Sequence, residues 1–349
     1  MARSREVEWV PDAALIHGRE GIDTYLSEAA QRRILRGIPF NTRVTYANAW
    51  KKFVEWCARE GRTPLPATAQ TLAEYVAYLC EQGVYDRELG DYRGASIATI
   101  DQAIAVIRAA HHGAGYPNQP DTLAARKIVN GYARDLAEEG RGGQREAKPI
   151  TIEALRKMIE ACDLETPIGL RDRLTLVLGL ALMGRRSELV NLNIADVRVV
   201  EEGLEVLVRF SKTDQTAKGE LVAIPAGTHP LTNPVAAYQD WVRCLADHGI
   251  TSGRLLRSIS KHGHIGEKLS TNAVNAIVKK LARAAELEDP DSYSAHSLRA
   301  GGATVAYAAG VPVSTITKHG RWKPNSPVVF KYIRAVDRWR DNAMRNVGL

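Results

Sequence analysis

Residues 294–334 read SAHSLRAGGATVAYAAGVPVSTITKHGRWKPNSPVVFKYIR and gather side chains suited to handling an anion. His296 and Arg299 stand three apart where a helix begins. That spacing puts both on one face, beside free backbone N–H groups that favour negative charge. Gly301, Gly302 and Ala303 follow, small enough to let another backbone approach. Trp322 comes next, in KHGRWKPNSP. Ser326 then reads as an N-cap and Pro327 as the first helical position, which places Tyr332 in the second turn of a helix.

Two upstream positions could join them. The stretch 168–192 reads as one long apolar helix, on which Leu174, Leu178, Ala181, Leu182, Leu189 and Leu192 form a stripe. Arg185 falls on that stripe and its neighbour Arg186 does not. A guanidinium there is costly unless an anion or carboxylate meets it. Glu188, three residues on, can orient it. Lys212 lies past a strand end, in the polar hairpin loop FSKTDQ. Each residue alone also fits a structural role. Arg185 could form an ion pair with Glu188, Lys212 could sit in a solvated loop and His296 could be a satisfied residue beside a cap. Trp322 could be an aromatic plug in a turn, and Tyr332 a half-buried packing ring.

The elements that must position these residues fall into two groups. Residues 1–20 lack periodicity and read as an arm. A short helix is expected over 23–36. A stronger one is expected over 42–61, with Val44, Ala47, Trp50, Val54 and Cys57 or Ala58 at three- and four-residue steps. Its other face carries Arg43, Lys51 and Lys52. A helix over 71–83 turns Leu72, Val76 and Leu79 inward, and a polar loop, VYDRELGDYRG, follows. Ser96 caps a third helix with Ile97, Ile100, Ile104 and Ile107 in one stripe and Gln102 and Arg108 elsewhere on it. Residues 122–140 make a fourth. The stretch GRGGQREAKP (140–149) is a linker by composition. Beyond it, helices are expected over 151–163, 231–249 and 270–287 and after His296. Strands are expected at Val197–Val200, over Leu204, Val206, Val208 and Phe210, and over Leu221, Val222 and Ile224. The fold class is therefore mainly α: a helical first domain over 21–139, then a mixed, mostly helical domain over 150–349 with a small antiparallel sheet.

Composition sets outer limits. The chain has 349 residues, 45% hydrophobic and 25% charged, as in a globular protein large enough for a sizeable core. No apolar run reaches the roughly 20 residues of a membrane span. The first residues lack the apolar core of a signal peptide, so a cytoplasmic protein is expected. Cys57, Cys80, Cys162 and Cys244 are too scattered for a disulfide framework or a zinc site. His262 and His264 read as a solvated loop. The net charge is +7. Residues 1–149 hold 20 basic and 19 acidic side chains, against 27 and 21 over 150–349. The excess sits in the second half, which suits a polyanionic partner such as DNA.

In order, Arg185, Lys212, His296-x-x-Arg299, Trp322 and Tyr332 resemble the signature of the tyrosine recombinases, the phage integrase family. The likeness runs over essentially the whole chain. The tryptophan, the segment GRWKPNSPVVFKYIRAVD and the stretch HHGAGYPNQP resemble its Cre-like members. The resemblance implies a core-binding domain, a linker and a catalytic domain ending in a docking helix. It implies Tyr332 as nucleophile, leaving a 3′-phosphotyrosine and a free 5′-hydroxyl. Arg185 and Arg299 would clamp phosphate oxygens and Lys212 would act as general acid. His296 would serve as base and phosphate ligand. Trp322 would donate its indole N–H and pack under the nucleophile's helix, with Glu188 holding Arg185. No metal or cofactor is implied. The partners implied are duplex DNA with inverted-repeat sites and further copies of the chain, as a dimer on one site and a tetramer across two, passing through a Holliday junction at the nucleoid. Arg43, Lys51, Lys52, Gln102 and Arg108 are the candidate DNA contacts. A hairpin-forming or topoisomerase-like relative, or a binding-only protein on the same fold, are the other outcomes such a signature allows.

Overall fold

The computed structural model describes residues 27–86, 90–142, 147–209, 219–324, 326–332 and 344. Internal contacts divide the chain into two compact units, Met1–Gln144 and Arg145–Leu349.

The first unit holds α1 (Glu28–Gly37), α2 (Phe40–Arg59), α3 (Ala69–Gln82), α4 (Ile97–Gly113) and α5 (Leu123–Glu138). Thr68 and Ser96 cap α3 and α4 through their hydroxyls, each accepting from the backbone N–H three residues on. The isoleucine stripe of α4 is buried at Ile100, Ile104 and Ile107. Helix α2 differs from its expected stripe. Phe53, not Val54, is the fully buried residue, and Trp50, Trp56 and Cys57 are buried with it. Aromatic volume decides this: Phe53 packs edge-on to Tyr75 with centroids 5.0 Å apart and lies 5.6 Å from Trp50. The expected polar loop after α3 is a hairpin, β1 (Val84–Asp86) and β2 (Asp91–Arg93). Tyr85 faces Tyr92 across it, 5.2 Å between ring centroids, and Arg93 meets Asp86 at 2.8 Å. Such cross-strand pairs hold a short hairpin together.

The second unit begins with α6 (Ile152–Glu160), capped by Thr151. Helix α7 (Pro167–Ala181) runs through the core with Leu174, Leu176, Val177 and Leu178 buried. It also buries Arg171, Asp172 and Arg173. Asp172 takes Arg171 at 2.6 Å and Lys280 at 3.1 Å, and Arg173 reaches Asp240 at 2.9 Å, so these charges are matched.

The expected single helix over 168–192 is two. Helix α7 stops at Ala181, Met183 takes a left-handed φ of 47°, and α8 restarts over Arg186–Asn191 with Arg185 as its N-cap. Apolar periodicity continues through the break because both pieces face one core. It therefore carried no sign of the turn at Gly184.

Strands β3 (Val197–Val200), β4 (Gly203–Val208) and β5 (Glu220–Pro225) form an antiparallel sheet in the order β3-β4-β5. Strand β4 ends at Val208, and Phe210, assigned to it from the sequence, lies outside the described residues. Helices α9 (Pro234–Asp247), α10 (Thr271–Ala284), α11 (Ala295–Ala308) and α12 (Val313–His319) follow, and a last helical segment, α13, covers 327–332. Among the described residues no helix is long and apolar enough to cross a membrane.

Candidate active site

The site forms where the α7–α8 break, the start of α11, the turn after α12 and α13 meet. Helix α11 begins at Ser294, whose hydroxyl accepts from the His296 N–H at 3.2 Å. One turn into the helix, Arg299 is 2% exposed. It donates to the carbonyl of Met183, at the break, and to that of Gly320 at 2.7 Å. Its guanidinium lies 3.9 Å from the centroid of the Trp322 ring, a cation–π contact. Trp322 belongs to a small apolar cluster with Met183, Ala303, Ile316 and Val329, against which Tyr332 packs.

Tyr332 and His296 meet directly. The phenol oxygen is 2.5 Å from His296 Nε2, and the Trp322 ring centroid is 6.1 Å from that of Tyr332. His296 is exposed as a residue, yet the protein packed about its ring, and then the charges of Arg299 and Arg185, lower the imidazole's pKa from its ordinary 6.5. In the neutral ring the tautomer with its proton on Nδ1 accepts from the tyrosine hydroxyl at Nε2. Arg299 itself is brought down to about 9, first by burial and then by Arg185.

Arg185 stands at the N-cap of α8 and is held there by the Glu188 carboxylate, not by a continuous helix stripe. Its NH1 donates to Glu188 Oε1 at 2.6 Å, and its backbone N–H to Oε2 at 2.9 Å. Its side chain is 23% exposed, and among the described residues it has no other partner. Arg186, the rival for this position, is exposed outside the site. Burial works to raise the Glu188 pKa, but Arg321, the Arg185 N–H and both guanidiniums outweigh it and hold it below 4.5.

The structure thus brings Arg185, Glu188, His296, Arg299, Trp322 and Tyr332 together. Lys212 lies outside the described residues. Its loop runs between β4 and β5, and Glu220, the first residue of β5, lines a cavity of about 630 Å³ together with Lys318, Arg321, Trp322 and Phe330. Sequence reasoning missed Arg321. It is 4% exposed, donates to Glu188 Oε2 at 2.9 Å, and has a φ of 56°. A basic residue between Gly320 and Trp322 was its only trace in the sequence.

The candidate DNA contacts of the first unit lie on two helices, α2 and α4. Lys52 and Arg108 are exposed, Lys51 is 3.6 Å from Glu55, and Arg43 and Gln102 are half-buried. Gln102 and Arg108, six positions apart on α4, point about 120° from each other around its axis. The docking helix expected after Tyr332 lies almost wholly outside the described residues. Among the described residues no group of three or more His, Cys, Asp or Glu side chains is placed to hold a metal.

A tyrosine hydroxyl in contact with an imidazole and ringed by guanidiniums is a set of groups suited to a phosphodiester. Residues 148–338 match the model of the phage integrase family. The chain belongs to that family, the tyrosine recombinases, enzymes of DNA strand cleavage and rejoining. It is 30% identical over 323 residues to an integrase/recombinase XerD homolog of Selenomonas ruminantium, covering 92% of this chain and 89% of the relative. It is 23% identical over 303 residues to the recombinase Cre of Escherichia phage P1, covering 82% of each. In fold it is similar to the XerH site-specific recombinase bound to palindromic difH substrate, with a TM-score of 0.60 and 16% identity, covering 91% of this chain and 84% of that one. It is also similar to the Tn1549 transposon integrase in complex with transposon right end DNA, with a TM-score of 0.55 and 15% identity, covering 87% and 92%.

Proposed function

We propose that this chain recombines duplex DNA at specific sites, with Tyr332 as the attacking group. The observation that carries the reading is the 2.5 Å contact between the Tyr332 hydroxyl and His296 Nε2 beside the buried Arg299. Tyr332 attacks the scissile phosphorus while its proton passes to His296. The bond from phosphorus to the 5′-oxygen breaks, Lys212 protonates that oxygen, and a 3′-phosphotyrosine remains. Arg185 and Arg299 hold the non-bridging oxygens, where planar guanidiniums meet the charge of the transition state. Trp322 keeps Arg299 and the Tyr332 ring in place. A 5′-hydroxyl from a partner strand then reverses the reaction. One phosphoester replaces another, so the exchange itself consumes no nucleotide.

Exchange between two sites gives a Holliday junction, made by a tetramer of two dimers, each dimer on an inverted repeat. The first unit grips the same duplex, with exposed Lys52 and Arg108 as its best-placed contacts. The site of action is the nucleoid. The test uses nicked suicide duplexes drawn from a randomised inverted-repeat pool by covalent capture. The full chain should form an adduct that Tyr332→Phe abolishes while DNA binding persists. An adduct surviving in the Phe variant would remove Tyr332 from the role, and no capture from any pool would favour a binding-only protein.

A further inference from the structure

Glu188 has one carboxylate and two guanidiniums to serve. Oε1 takes Arg185 NH1, while Oε2 takes the Arg185 backbone N–H and Arg321 NH2, both at 2.9 Å. Arg321 also donates to the carbonyls of His319 at 3.0 Å and Leu182 at 3.2 Å. Its side chain and that of Glu188 are 1% and 2% exposed. A side chain of this size seldom sits at a φ of 56°, so the backbone there carries strain that its guanidinium contacts must offset. An arginine and a carboxylate left to themselves favour a two-point fork. Here Arg185 meets Glu188 through one side-chain nitrogen only, while Oε2 takes the Arg185 backbone N–H and Arg321.

We infer that Arg321 is a positioning residue for strand cleavage: by occupying Glu188 Oε2 it keeps Arg185 from forking onto Glu188 and leaves Arg185 donors open to the scissile phosphate. The inference rests on Arg185 acting as a phosphate clamp. It also makes the turn that bears Trp322 report directly on α8, since Arg321 spans both. Without that charge Glu188 draws Arg185 into a closed pair and turns it from the substrate.

Single-turnover adduct formation on the captured suicide duplexes tests this with the full chain. Arg321→Lys keeps a cation at Glu188 and should stay within about tenfold of the unaltered rate, whereas Arg321→Gln, without charge, should fall about a hundredfold at unchanged DNA affinity. Glu188→Gln added to Arg321→Gln should recover tenfold or more, because an amide does not grip Arg185 as a carboxylate does. A merely structural role would make Lys and Gln equally damaging and leave the double variant no better, and either result overturns the inference. Arg185→Ala separates the two levels. If it still forms adducts, the clamp reading fails. If it does not, but Arg321→Gln cleaves like the unaltered chain, only the Arg321 role fails. A crystal structure of Arg321→Gln gives a readout without DNA: two Arg185 nitrogens on Glu188 support the role, and the single contact retained refutes it.

Discussion

Removing the hydroxyl of Tyr332 deletes one oxygen from a half-buried ring and leaves its packing against Trp322 intact, so the Phe variant isolates chemistry from folding. His296 supplies a second readout at this scale. Its imidazole titrates below 6.5 because the protein packed about the ring, Arg299 and Arg185 all disfavour the cation. A base whose pKa falls on folding stays neutral to lower pH, and so keeps accepting the tyrosine proton there. The acid limb of kcat/KM for cleavage should therefore have its midpoint below 6.5, and His296→Ala should remove that limb. A midpoint well above 6.5 would mean another group controls it. Glu188 behaves in the same direction. Its carboxyl lies below 4.5, so its contribution to stability is present above 4.5 and lost as pH falls through the folded value.

Among the elements, α11 sets how closely the site can assemble. A methyl group on Gly301 would stand 2.3 Å from the carbonyl oxygen of Ile150, and one on Gly302 would stand 2.4 Å from that of Leu180. The helix lies against backbone at both positions, and Ile150 N–H donates to the Ser297 carbonyl at 3.2 Å. Alanine is worth about 1 kcal/mol more than glycine inside a helix. Overlap with a backbone oxygen should reverse that sign. Gly301→Ala is expected to destabilise the chain by about 2 kcal/mol, in the range of overpacked cores, as read by the urea midpoint. A gain in stability would show that the segment at Ile150 can retreat. The break between α7 and α8 matters for the same reason. It frees the Met183 carbonyl for Arg299 and makes Arg185 a cap whose side chain leaves the apolar core.

For the whole molecule the governing quantity is charge. The net +7 is concentrated after residue 150, and the guanidiniums of Arg185 and Arg321 share the Glu188 carboxylate with Arg299 close by. A site with surplus positive charge in a low-dielectric pocket waits for an anion. Binding to duplex DNA should accordingly weaken steeply with salt, by about a thousandfold or more between 50 and 200 mM if six or more phosphates are contacted. Filter-binding or fluorescence titrations across that range give the slope. A flat dependence would argue against phosphate contacts as the main source of affinity.

Much of the site was legible in the sequence because local rules write it there. The i, i+3 step of His296 and Arg299 and the Ser326 cap follow from short-range chemistry, whereas the order of the signature residues was read as a resemblance to the family. The mainly helical class and the three-stranded sheet followed from apolar periodicity. Tertiary structure alone decided three things. It split 168–192 at Met183 and Gly184, since a stripe facing one core looks the same whether or not the helix is continuous. It placed Phe53 inward in preference to Val54, because neighbouring aromatic rings select by volume and periodicity does not. And it delivered Arg321 to Glu188 across 133 positions, a pairing set by a left-handed turn and a shared carboxylate, neither of which any local pattern encodes.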